Sequence, residues 1–127
     1  MKAFIVCIIS TIIIIFSWNY IYSNYVDDYC IEFINSLNSI SDNIDKDNWK
    51  DANDELLKIS KQWNNIRYTW SILLDHHEID NIDIAMVKLI KNIQLKNVYL
   101  SYDQIQSLKQ FFKIVKENEQ LTLTNVL

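Results

Sequence analysis

The residue types that do chemistry are concentrated in one stretch of this 127-residue chain, WSILLDHHEIDNID, from Trp70 to Asp83. It holds both histidines, His76 and His77, with Asp75, Glu78, Asp80 and Asp83 around them. Imidazole nitrogens backed by carboxylates form a donor set that suits zinc. Neighbouring residues on a helix point about 100° apart, so both rings reach one ion only across an unwound turn. His76 with Asp80 and Asp83, or His77 with Asp80, are the workable combinations, and neither has the His-Glu-x-x-His spacing of known zinc helices. Zinc or another divalent metal is thus the one cofactor the segment suggests; the competing expectation is no cofactor.

The same letters also describe a polar elbow between two helices, and this is the reading we expect. Asp75 followed by Glu78, or Asp80 followed by Asp83, would cap the second of those helices, and carboxylates in a first turn complement its dipole. His77 continues a tryptophan-bearing stripe, which places its ring partly inside the end of the core, satisfied by Asp80. There a carboxylate partner would raise its pKa and burial would lower it, allowing a pH response. Arg67 stands four residues after Trp63 and three before Trp70, close enough to rest on either ring. Stem packing is the expected role for Arg67, and an anion site the sharper alternative. No serine, cysteine or lysine is arranged as an activated nucleophile, and no carboxylate pair separates an acid from a base. The expectation is a protein that is not an enzyme.

The elements that must position these residues follow from composition. The chain contains no glycine and no proline. Asn-Gly hairpin turns and the glycine-rich loops that cradle phosphates are therefore excluded, and helices closed by Ser, Asn and Asp remain. A formal charge of −4 and a single arginine argue against nucleic acid as a partner.

Residues 1–23 read as a transmembrane anchor. The run MKAFIVCIISTIIIIFSWNYIY has the length that a spanning helix needs, about 20 residues. Trp18, Tyr20, Tyr22 and Tyr25 gather at its far end, where aromatic rings favour the headgroup zone. Lys2 precedes the run and Asp27 and Asp28 follow it, which places the N-terminus in the cytoplasm and residues 24–127 outside the cell. The run is too long for a signal-peptide core and no small-x-small cleavage site follows it, so an uncleaved single-pass anchor is expected. Cys7 and Cys30 are too far apart on a continuous helix to bridge, and Cys30 is expected as a buried small hydrophobe.

Beyond the anchor the apolar residues recur every three or four positions. Val26, Tyr29, Phe33, Leu37 and Ile40 form one stripe, continuous with the anchor. Trp49, Ala52, Leu56, Ile59, Trp63, Ile66, Trp70, Leu73 and His77 form the longest. Ile79, Ile82, Met86, Leu89 and Ile93 make a third, and Ile105, Leu108, Phe112 and Val115 a fourth, widened by Phe111 and Ile114. The fold class is all-α: a transmembrane helix running into a small antiparallel bundle of about four helices. Ser101 with Gln104 is expected as a capping box for the last helix, and LTLTNVL as an extended tail over the bundle. Three tryptophans on one stripe suit a globular core, although an obligate homo-oligomer using one stripe stays open.

The apolar start, Trp63 and Trp70 seven apart, the segment LLDHHEIDNID with its His77-Glu78-Ile79-Asp80 core, and the closing Leu-Thr-Asn-Val-Leu resemble the family called domain of unknown function 4363. The resemblance covers essentially the whole chain. It implies a single-pass helical protein of the cell envelope in Gram-positive spore-forming anaerobes, and an accessory role beside polytopic membrane proteins. No catalytic residue comes with it. The expected function is a non-enzymatic module that binds another membrane or envelope protein, with Trp49, Trp63, Arg67, Trp70, His77, Glu78 and Asp80 as its structural or interaction residues. The alternative is an extracytoplasmic sensor or metal-binding bundle using Asp75 to Asp83.

Overall fold

A computed structural model describes the backbone of residues 1–125 and the side chains of residues 1–118. Four helices account for almost all of it: α1 (Lys2–Asp45), α2 (Trp49–Leu73), α3 (His76–Gln94) and α4 (Val98–Asn125). Among the described residues there is no strand. The all-α reading holds, and α1 is one unbroken helix of 44 residues, with no interruption where its apolar first half gives way to the bundle.

The first half of α1 projects alone. It is long and apolar enough to cross a membrane, and none of its most apolar window is buried within the molecule. The bundle begins at Ser23 and Val26. From there Cys30, Phe33, Leu37, Ile40 and Ile44 line the inner face of α1. Three- and two-residue connections force each helix to run antiparallel to the one before. The helices pack as a ring, α1 on α2, α2 on α3, α3 on α4 and α4 back on α1, and the backbones of the diagonal pairs stay apart.

The stripes read from the sequence are the inside of this ring. Every apolar residue of the α3 stripe is buried, as are Ile105, Leu108, Phe112 and Val115 of α4. At the centre the Phe33 and Phe112 rings stack at 4.7 Å, and Trp63 meets Trp70 edge-on at 5.5 Å. Trp63 and Trp70 both approach Phe112 edge-on as well. Such offset and T-shaped contacts suit the ring quadrupoles and add to what burial alone contributes. The centre of the core is therefore an aromatic cluster fed by α1, α2 and α4, and α3 adds aliphatic side chains around it.

Two of the turns are built alike and show how a chain without glycine stops a helix. After α1, Asp47 takes φ 59°, its N–H donates to the Ile44 carbonyl, and the Asn48 N–H donates to that of Asn43. After α3, Lys96 takes φ 51°, its N–H donates to Ile93, and that of Asn97 donates to Asn92. This is the bonding of a Schellman stop, where a left-handed residue satisfies orphan carbonyls. In both turns the asparagine then opens the next helix, its carbonyl accepting from Ala52 or Ser101.

Three sequence expectations are corrected. Ser101 and Gln104 do not form a capping box. Helix α4 starts four residues earlier, the Asn97 side chain accepts from the Leu100 N–H at 3.0 Å, and Ser101 is fully buried inside the helix. The segment LTLTN is not extended but continues α4 to Asn125, since nothing before it breaks the helix; Val126 and Leu127 lie outside the described residues. The α2 stripe ends at Trp70: Leu73 is partly exposed and His77 belongs to α3, on the outside.

Candidate functional site

The elbow is a tight turn of Leu74 and Asp75. The backbone of Leu74 is extended, and Asp75 is the N-cap of α3, its carboxylate accepting from the His77 N–H at 3.0 Å. Its carbonyl accepts from Glu78 and Ile79. Of the two caps considered, the one at Asp75 forms, and Glu78 lies in the first turn. Glu78 has a second task, accepting from Asn118 Nδ2 at 2.7 Å and so tying α3 to α4.

Asp80 and Asp83 do not cap anything, because they lie a full turn inside α3. Asp83 crosses to α2 instead. Its Oδ1 accepts from the Trp63 indole Nε1–H at 2.7 Å, and its Oδ2 takes Arg67 through Nε at 2.7 Å and an ion pair at 2.6 Å. The hydrogen bond to Asp83 is the main cause that raises the Arg67 pKa, with the charge of Asp80 adding to it. Arg67 is therefore held at its guanidinium by the Asp83 carboxylate.

The four metal candidates are dispersed by this arrangement. His76 and His77 are exposed at the start of α3, Asp80 is exposed, and Asp83 is occupied by Trp63 and Arg67. Among the described residues no group of three or more His, Cys, Asp or Glu side chains is gathered to hold a metal ion. The expectation that His77 sits partly in the core is corrected too, since the residue is exposed at the start of α3. Local spacing misplaced the ring because the stripe crosses a helix boundary, where the chain reverses and the periodic face is reset.

At the opposite end of the bundle the structure presents a surface that the sequence reading passed over. Leu95, Val98, Tyr99 and Leu100 are all exposed at the α3–α4 turn, Tyr99 at 87%. Beside them a cleft of about 370 Å³ opens between the start of α2 and the end of α3. Trp49, Lys50, Asn53, Ile93, Gln94 and Lys96 line it. The matching α1–α2 turn, Lys46-Asp47-Asn48, is polar throughout. The signal was available: Val98-Tyr99-Leu100 is a run of three apolar residues, which a single stripe cannot bury together.

A family model, described as domain of unknown function, matches residues 20–126. The chain belongs to that family, DUF4363. The DUF4363 match begins just before the bundle and takes in all four helices of it, together with both ends described above. No curated protein and no solved structure matches the DUF4363 chain.

Proposed function

We propose that this DUF4363 protein is a non-enzymatic, membrane-anchored module that binds another envelope protein through the tip of its bundle. The apolar α3–α4 turn carries this reading. Four exposed apolar side chains in six residues, next to a cleft floored by Trp49 and Ile93, are costly to leave in water and match the apolar centre of a protein interface. The partner is a protein with a complementary apolar ridge, approaching from the side away from the anchor. Lys2 before the span and Asp27 and Asp28 after it support a cytoplasmic N-terminus and a bundle outside the cell.

Site-specific photo-cross-linking in intact membranes tests this. A photoreactive residue at Tyr99 should yield one adduct of defined mass with a different polypeptide. Leu95→Ser with Leu100→Ser should abolish it while leaving the helicity unchanged. An adduct of the chain with itself, or none, would overturn the reading.

A further inference from the structure

We infer that the α2–α3 elbow is embedded in the headgroup layer of the same bilayer that α1 crosses, so that the bundle stands on the membrane at two points. The inference rests on reading α1 as a membrane span and adds a second lipid contact to it.

The heights follow from helix geometry. The Trp70 ring lies edge-on against the Tyr29 ring at 6.4 Å, which sets these two residues at one level of the bundle. Helix α2 runs toward the anchor, so Leu73 lies about 4.5 Å below that level, beside Tyr25 and Val26. The apolar stretch of α1 ends at Tyr22, about 6 Å further down. A headgroup layer is roughly 5–8 Å thick on each side of the hydrocarbon. Because α1 does not bend between span and bundle, the elbow falls within that layer.

What the elbow offers there fits an interface. Ile72 and Leu73 are 68% and 36% exposed at this level, and Tyr25 of α1 is exposed beside them. Aliphatic groups on a helix end, rimmed by polar side chains, partition at the boundary between headgroups and acyl chains. Trp18 and Tyr20, also exposed, lie just below on the span. Helix α4 descends on the other side of the ring. The Asn118–Glu78 bond marks its level, and its backbone stays helical to Asn125, about 10 Å nearer the membrane. Two separate parts of the bundle thus converge on the lipid surface around α1.

An environment-sensitive fluorophore tests this in the full chain, reconstituted into phosphatidylcholine vesicles that carry a quencher at shallow or deep positions. With Cys7 replaced by serine and the fully buried Cys30 kept out of reach of the label, one exposed cysteine at a time replaces Ile12 in the span, Ile72 at the elbow or Leu95 at the far turn. The label at 12 should be quenched by the deep probe, that at 72 by the shallow probe at least threefold more than that at 95, and that at 95 hardly at all. Helicity measured on each labelled protein excludes unfolding as the cause. If 12 is quenched and 72 behaves like 95, the elbow is in water and the inference fails while the anchor stands. If 12 is not quenched either, the anchor reading fails and takes the inference with it.

Discussion

Asp83 Oδ1 lies 2.7 Å from Trp63 Nε1, an α3 carboxylate accepting from the indole N–H of a buried core ring. Trp63 is only 1% exposed, and an indole donor without an acceptor would lose its bond to water on folding. Asp83→Ala should therefore lower stability by about 1–3 kcal/mol. Asp83→Asn, which keeps an acceptor, should cost less. A double-mutant cycle with Trp63→Phe, read by thermal melting of the full chain in micelles, should show the two losses to be non-additive. Additive losses would mean that the bond contributes nothing.

The stacked pair Phe33–Phe112 and the two tryptophans should be the most sensitive positions of the bundle. Phe112→Ala or Trp70→Ala removes a ring that touches three others, and a loss of about 3–5 kcal/mol is expected for each. His77→Ala, on the exposed start of α3, should change the melting midpoint by no more than about 0.5 kcal/mol equivalent. Comparable losses at His77 and Phe112 would contradict this packing.

Micromolar zinc should leave the melting midpoint of the chain unchanged, since the imidazoles are on the surface and Asp83 is already held by Arg67 and Trp63. A metal that binds only the folded chain would raise it with concentration. A rise that His77→Ala abolishes would restore a metal site at the elbow.

The left-handed turns provide a prediction of opposite sign. Lys96 at φ 51° bears a steric cost that glycine would relieve, so Lys96→Gly should stabilise the chain by about 1 kcal/mol. Asp47 occupies the same position in the other turn, but its Oδ1 also accepts from the Trp49 indole at 2.7 Å. Asp47→Gly gives up that bond and should yield no gain. Chemical denaturation of both variants checks the contrast.

Tyr102 donates to Asp45 across the α1–α4 seam, and this bond, with smaller contributions from burial and the carboxylate's charge, raises the phenol above its ordinary 10.0. The raised folded-state value fixes the sign. The stabilisation is complete below pH 10 and disappears as pH rises through the folded-state pKa, where the phenolate repels Asp45. In an absorbance titration of tyrosinate, Tyr102→Phe should remove a component that ionises later than in the unfolded chain. If the difference curve has its midpoint at or below 10, the bond does not persist in solution.

Much of the fold was legible because a buried helix face repeats every three or four residues, as Val26, Phe33, Leu37 and Ile40 do on α1. Cys30, expected as a buried small hydrophobe because it cannot reach Cys7, is fully buried on the same face. What periodicity could not reach are the pairings between helices. Asp83 looks like a cap or a ligand when only its neighbours are considered; its partner Trp63 is 20 residues away and meets it only once α2 and α3 fold back on each other. Asn118 and Glu78, 40 residues apart, are a second case. The Asn97 cap was missed because Ser101-x-x-Gln104 mimics a helix start, and the fully buried Ser101 occupies an inward position that a hydroxyl seldom takes.

The ring of helices closes through α1 and α4, the first and last elements of the chain. The other three seams join consecutive helices and can zip locally within microseconds, whereas this one must bring together segments separated by two whole helices. Its closure accordingly carries the largest loop-closure cost of the four seams. Until α4 arrives, Phe33, Trp63 and Trp70 line an open trough where Phe112 will lie. A chain without α4 would leave that aromatic trough open along its length, so the last helix is the lid of the core as well as its fourth wall.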